Sequence, residues 1–276
     1  MNLEFESLDE SQLAEAFVSC AVLASQLALQ GDRKSAKRET SRAEAACLTS
    51  NIRGRDFNAS FLRESLRLMN EVPREFLETD FHYRAFDLID EALGFDYHVD
   101  DGMISNDVER LYEGGGVGVQ TSYSTLLTTL QALALVDGQK VIDLGSGFGR
   151  MGFAVGLLRP NVIFVGYEYV AHRVDQGNDL AERADLPNVS FVTQDLSNRD
   201  FKIPLANIYY MFDPFNAATY GFVLDQLIEI GRTQKITIAT KGRANTWAAE
   251  ALAKAGWQFE SQALGSVAFF HSPKHT

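Results

Sequence analysis

The chain has 276 residues, 46% of them hydrophobic, with 25 Lys+Arg against 37 Asp+Glu and a formal net charge of −12. That length accommodates one large α/β domain and a smaller companion around packed cores, and the acidity argues against a nucleic-acid binder, whose basic face must neutralise phosphates. Cys20 and Cys47 have no second pair or neighbouring histidines and the five histidines show no ligand spacing, so buried or idle thiols and no metal are expected.

The front of the chain reads as helical. Leu13, Ala16, Phe17, Cys20, Leu23, Ala24 and Leu27 recur at helical spacing after the cap candidates Ser7 and Asp9, and Gly31 stops the run. The segment Asp32 to Arg42 is a basic cluster with interspersed acids, read as an exposed helix surface. Phe57, Phe61, Leu62, Leu66 and Met69 repeat the helical pattern before Pro73, and Tyr83, Phe86, Leu88, Ile89 and Leu93 do so before Gly94. These stripes are core or domain-packing surface. The acidity belongs here: residues 1–120 hold 12 Lys+Arg against 23 Asp+Glu, and 13 acids face three arginines between Glu71 and Glu113. Such a field repels nucleic acid and attracts a basic peptide or amine, although a solvated acidic surface is the plainer reading. No apolar run approaches the roughly 20 residues that span a bilayer, and the start lacks a signal peptide's basic end, so a cytoplasmic protein without membrane contact is expected. Nothing in the sequence specifies an oligomeric state.

Gly114-Gly-Gly-Val-Gly118 marks the boundary between a helical part, 1–113, and an alternating part, 114–276. No strand leads into these glycines and no Lys-Ser/Thr follows, which argues against a P-loop and for a hinge or a close cofactor contact. Beyond them the order is helix 121–136, strand 140–144, helix 150–158, strand 162–167, helix 171–185, strand 189–193, strand 207–212, helix 217–231, strand 235–239, helix 245–255, and strands near 257–263 and 266–271. Such alternation predicts an α/β, Rossmann-like, doubly wound sheet, mostly parallel, with helices on both faces. The last two strands flank Leu264-Gly265 so closely that only an antiparallel hairpin can join them.

Within this frame, Lys140-Val-Ile-Asp-Leu-Gly-Ser-Gly-Phe-Gly149 is a buried strand running into a glycine turn. Gly145, Gly147 and Gly149 allow positive φ and a close approach of backbone amides to a ligand, and the following helix directs its partial positive charge there. Asp143 places an acceptor beside an ammonium or hydroxyl. Two ligands compete. Gly147-Phe-Gly149-Arg-Met-Gly152 fits the dinucleotide fingerprint with Glu168 on the ribose diol, but a pyrophosphate dianion lies badly beside Asp143. S-adenosylmethionine offers an ammonium to Asp143, a carboxylate to the turn amides of Gly145, Ser146 and Gly147, and the same diol to Glu168, so it ranks first. Asp195 ends the third strand, where it can accept the adenine amino group. Asp213-Pro214-Phe215 ends the apolar fourth strand, where a carboxylate and peptide carbonyls can orient an amine while a ring lies against the methyl donor. Each acid also has a plainer role, capping the next helix. Tyr209 and Tyr210 alternate across the fourth strand and can both be core. Lys241, Arg243 and Trp247 follow strand five, on the expected substrate side.

Residues from about 115 to 276 resemble a class I S-adenosylmethionine-dependent methyltransferase. Asp143-Leu-Gly-Ser-Gly147 matches the first motif of that family, Glu168 its ribose acid, Asp195 its adenine acid and Asp213-Pro214-Phe215 its motif after strand four. In amine-methylating branches this last motif reads Asp/Asn-Pro-Pro-aromatic, and this chain has one proline fewer. The resemblance implies a parallel sheet ending in an antiparallel hairpin, S-adenosylmethionine as cofactor, and N-methylation of a lysine or other amine on a protein or basic substrate. Methylation of a small molecule at oxygen or carbon, and cofactor binding without catalysis, are the alternatives. Gly118-Val-Gln-Thr121-Ser122-Tyr123 further resembles the Gly-Glu-Thr-Ser segment of the non-SET histone-lysine methyltransferases, without its Glu; the likeness implies that Thr121 contacts the cofactor.

Overall fold

The computed structural model describes residues 4–54, 58–73, 86–97, 120–212, 216–261 and 267–273. The chain divides into two compact units: one comprises 1–96, 122–134 and 179–187, the other 97–121, 135–178 and 188–276. The expected boundary at 113/114 lies outside the described residues. Residues 122–134, expected in the second part, group with the front helices.

In the first unit, α1 (Glu10–Leu29), α2 (Arg33–Gly54), α3 (Ala59–Glu71) and the short α4 (Ile89–Leu93) join α5 (Tyr123–Leu133). The start of α1 is written in its sequence: the Asp9 carboxylate accepts from the Gln12 amide at 2.9 Å and the Gln12 side chain accepts in return from the Asp9 amide at 2.9 Å. Gly31, at φ +82, follows its end. Leu13, Phe17, Ala21 and Ala24 are buried, and α1 packs on α2 and α3, with the Phe17 and Phe61 rings 5.9 Å apart. Contrary to the expectation of no bilayer-length apolar segment, α1 is long and apolar enough by length and composition, although in this structure much of it lies against its neighbours. Cys20 and Cys47 are free and buried, and burial pushes both thiols up. The basic cluster opens α2, and Arg33, Lys34, Lys37 and Arg38 are exposed as expected, while Glu39 within it is buried between Arg38 and Arg42, at 3.1 and 2.7 Å.

The second unit is built on a seven-stranded sheet: β1 (Lys140–Leu144), β2 (Ile163–Glu168), β3 (Val189–Thr193), β4 (Ile208–Phe212), β5 (Thr237–Lys241), β6 (Gln258–Ser261) and β7 (Val267–His271). Their order is β3-β2-β1-β4-β5-β7-β6. The first five are parallel, while β7 runs antiparallel between β5 and β6. The helices between strands are α6 (Arg150–Leu158), α7 (Ala171–Arg183), α8 (Ala217–Gly231) and α9 (Ala244–Lys254). The mostly parallel sheet and its terminal hairpin agree with the fold predicted from alternation.

Period-two alternation divides the strands between two faces. Ile142, Leu144, Tyr209, Met211 and Ile238 point into one apolar cluster with Tyr220, Leu224, Leu227, Leu252 and Trp257. The neighbouring positions face the other way, and strand register lines up Phe191, Gly166, Asp143 and Tyr210 across β3, β2, β1 and β4. Phe191 is wedged among glycines: a methyl group on Gly149, Gly152, Gly166 or Gly177 would come within 2.4, 2.8, 2.6 or 2.9 Å of its ring. Those glycines let α6, α7 and β2 close on one aromatic side chain, which fixes where α6 and the turn before it begin.

Candidate functional site

The chain order reverses between β1 and β4, and in open α/β sheets ligands bind beyond the strand ends at such a point. Asp143 lies there, flanked in register by Gly166 and Tyr210. It is 3% exposed, and its Oδ1 has no hydrogen-bond partner among the described residues. Burial first, and then the charge of Glu168, hold its carboxyl well above the ordinary carboxylate range. Ser146, 6% exposed, likewise has a hydroxyl without a partner among the described residues and sits against Gly166, where a methyl would meet its Oγ at 2.6 Å. A buried acid with one unpartnered oxygen and a buried hydroxyl without a partner among the described residues fit a ligand that brings a donor or a cation.

The glycine turn between β1 and α6 takes positive φ at Gly145 (92°), Gly147 (55°) and Gly149 (93°). Its amides are not open in the way the sequence suggested. Gly145 and Ser146 both donate to the Tyr167 carbonyl, at 2.8 and 3.0 Å, and Gly149 donates to the Ser146 carbonyl at 2.9 Å. Gly147 donates to Glu168 Oε2 at 2.8 Å. The other oxygen of Glu168 accepts from the Val170 amide at 3.1 Å and lies 3.8 Å from Arg173 Nη1. Glu168 therefore ties the turn to the end of β2. Arg173 in turn lies 5.2 Å over the Phe148 ring, against which Tyr97 is set edge-on at 4.7 Å.

Thr121 is held from two sides. Its hydroxyl shares a 2.9 Å hydrogen bond with the phenol of Tyr210, and its carbonyl accepts from Arg150 Nη1 at 3.0 Å. Burial is the main cause that pushes the Tyr210 phenol up, with the nearby Asp143 adding to it. Tyr209, on the opposite face, accepts from the Ala206 amide at 2.9 Å and donates to the Pro204 carbonyl at 2.8 Å; burial pushes its phenol up to about 12. Alternation announced that the two tyrosines face opposite sides, and the partners of Tyr210 show that it joins Thr121 and Asp143 rather than the apolar cluster.

Asp195 is exposed and caps the following turn, its Oδ1 accepting from the Ser197 amide at 2.9 Å and the Ser197 hydroxyl at 2.6 Å. Asp213, Pro214 and Phe215 lie outside the described residues, directly after Phe212 at the end of β4. Lys241 Nζ lies 4.9 Å over the Phe212 ring. Trp247 is 5.1 Å from Tyr220 and packs on the apolar cluster, and Arg243 precedes α9. The structure thus brings Thr121, Asp143, Gly145, Ser146, Gly147 and Glu168 together around one turn. Sequence reading missed Tyr210 as a partner of Thr121, and it missed the Tyr167 carbonyl, for which no side-chain signal exists.

The strand order favours the S-adenosylmethionine reading over the dinucleotide one. A doubly wound dinucleotide fold continues 3-2-1-4-5-6 in parallel, whereas here an antiparallel β7 is inserted beside β5. The family model described as "Methyltransferase domain" matches residues 135–250. That stretch, less than half of the chain, is similar to a methyltransferase domain. A comparison with curated proteins gives no match. Among solved structures the chain is similar to TrmN from Thermus thermophilus, at 15% identity and TM-score 0.44, covering 55% of this chain and 48% of that one. A SAM-dependent methyltransferase from Aquifex aeolicus is similar at 16% identity and TM-score 0.41, over 53% of this chain and 88% of the other. Precorrin-6y C5,15-methyltransferase from Geobacter metallireducens is similar at 16% identity and TM-score 0.43, over 56% and 89%. At these identities and TM-scores the likenesses say nothing about what this chain binds or acts on.

Proposed function

We propose that the chain is an active S-adenosylmethionine-dependent methyltransferase that N-methylates a lysine or other amine on a protein or basic substrate. The observation that carries the cofactor placement is Asp143: a buried carboxylate with an unpartnered oxygen beside a second acid, Glu168, favours a cationic ligand. In this reading Asp143 receives the cofactor ammonium, Glu168 the ribose hydroxyls and Asp195 the adenine amine, with Thr121, Gly145, Ser146 and Gly147 around the amino-acid end. Bound there, S-adenosylmethionine supplies an electrophilic methyl group on sulfur. The protein aligns the nucleophile and excludes water.

For an amine, the lone pair must be free, and free lysine has a pKa of about 10.4. Asp213 and the carbonyls of Pro214 and Phe215 orient the amine, with its proton passing to water or to a carboxylate. The acidic residues between Glu71 and Glu113 support a basic substrate, since they raise the local concentration of cations and repel nucleic acid. The same field favours the charged amine, so capture and deprotonation pull against each other. Incubation with methyl-labelled S-adenosylmethionine and whole-cell extract tests the substrate class. Label is expected in protein or amines; label confined to nucleic acid, or to oxygen or carbon of a small molecule, contradicts the amine reading.

A further inference from the structure

The glycine turn poses a question of its own. The cofactor's amino-acid end carries a carboxylate, yet the amides of Gly145 and Ser146 are held by the Tyr167 carbonyl and that of Gly147 by Glu168. Beside the Ser146 hydroxyl, a further side-chain donor is within reach of the turn. Gln120 lies directly against this turn: a methyl group on Gly147 would sit 2.8 Å from its Nε2, 3.0 Å from its Oε1 and 3.4 Å from its Cδ. The amide group thus lies beside the Cα of Gly147, whose φ of +55° favours glycine there. The residue is partly exposed, and its side chain makes no hydrogen bond among the described residues. Asp143 Oδ1 and Ser146 Oγ, without partners among the described residues, belong to residues more than nine-tenths buried.

We propose that Gln120 is a cofactor-binding residue whose side-chain amide donates to the carboxylate of S-adenosylmethionine. The inference rests on the methyltransferase reading above and adds to it the residue that recognises the amino-acid carboxylate. The division of labour follows from charge. Asp143 and Glu168 suit the cationic and hydroxyl groups of the ligand but repel its carboxylate. A primary amide supplies two N–H donors without adding a charge, and a hydrogen bond to an ionised acceptor is stronger than a neutral one.

Calorimetric titration with S-adenosylhomocysteine and with decarboxylated S-adenosylmethionine tests this on the full chain, without any need for turnover. Gln120→Met keeps the bulk over Gly147 and removes the amide; Gln120→Glu keeps the shape and adds a repelling charge. Both variants are expected to bind S-adenosylhomocysteine about ten- to a hundredfold more weakly, the range of one hydrogen bond to a charged group. Gln120→Met is expected to bind the decarboxylated compound within about twofold of the native chain, because the group Gln120 recognises is missing from it, and its thermal midpoint is expected to stay unchanged. If both variants bind S-adenosylhomocysteine as the native chain does, or if Gln120→Met loses equal affinity for the two compounds, Gln120 does not read the carboxylate. Absence of binding by the native chain instead removes the methyltransferase reading itself.

Discussion

Replacing Gly149 by alanine is expected to cost about 2–5 kcal/mol of folding stability, read as a shift of the urea unfolding midpoint. Two terms combine. At φ +93° an L-residue is strained by roughly 1–2 kcal/mol, and the new Cβ would meet Phe191 Cζ at 2.4 Å, an overpacking worth about 1–3 kcal/mol. The ring has no easy retreat, because Gly152, Gly166 and Gly177 press it from other sides. Since domains are stable by only about 5–15 kcal/mol, this loss is a large fraction of the total. In a Phe191→Leu background the steric part is relieved, so the double variant is expected to be more stable than the sum of the single losses requires. A Gly149→Ala chain within about 0.5 kcal/mol of the native one contradicts the wedge described here, since a change of that size is ordinary for an unconstrained surface position.

Asp143→Asn is expected to separate stability from binding. The carboxyl of Asp143 is raised by burial and then by Glu168, so the folded chain holds this proton more tightly than the unfolded chain does. The sign follows from linkage. Stability from such a group is complete below the unfolded pKa of about 3.9 and is lost as pH rises toward the folded value. Asparagine has no proton to lose, so the Asp143→Asn chain gains on the native one as pH is raised from about 4 toward neutrality. Affinity for S-adenosylhomocysteine moves in the opposite direction. Removing one partner of a buried charge pair costs roughly 3–5 kcal/mol, about a hundredfold or more in affinity. Thermal melts across pH together with calorimetry check both halves. Unchanged affinity in a stabilised variant makes Asp143 a structural acid and not a ligand of the cofactor.

Much of the fold is legible in the sequence because turns and strands are clearly punctuated. The run Lys140 to Leu144, stopped by glycines, and α6 and α8 have the bounds expected of them. Other ends are set by pairing or backbone geometry. The sequence Lys235-Ile-Thr-Ile-Ala-Thr-Lys241 alternates throughout, and only its register with β4, Ile208 beside Thr237, places β5 two residues later than expected. Helix α5 stops at Ala134, a non-glycine at φ +44°, where composition gives no stop signal. The acids at the ends of β1 and β2 were visible as a pattern. Which side Tyr210 faces, what holds the turn amides, and the way four glycines surround Phe191 depend on contacts across the sheet, which no local pattern records.

Titration of the native chain with S-adenosylhomocysteine, set beside titration with NAD, tests the placement of an adenosyl amino acid over the β1–α6 turn most directly. Saturable binding of one S-adenosylhomocysteine per chain, with no heat from NAD, is the result that Asp143, Glu168 and the inserted β7 predict. Binding of NAD, or of neither compound, contradicts it.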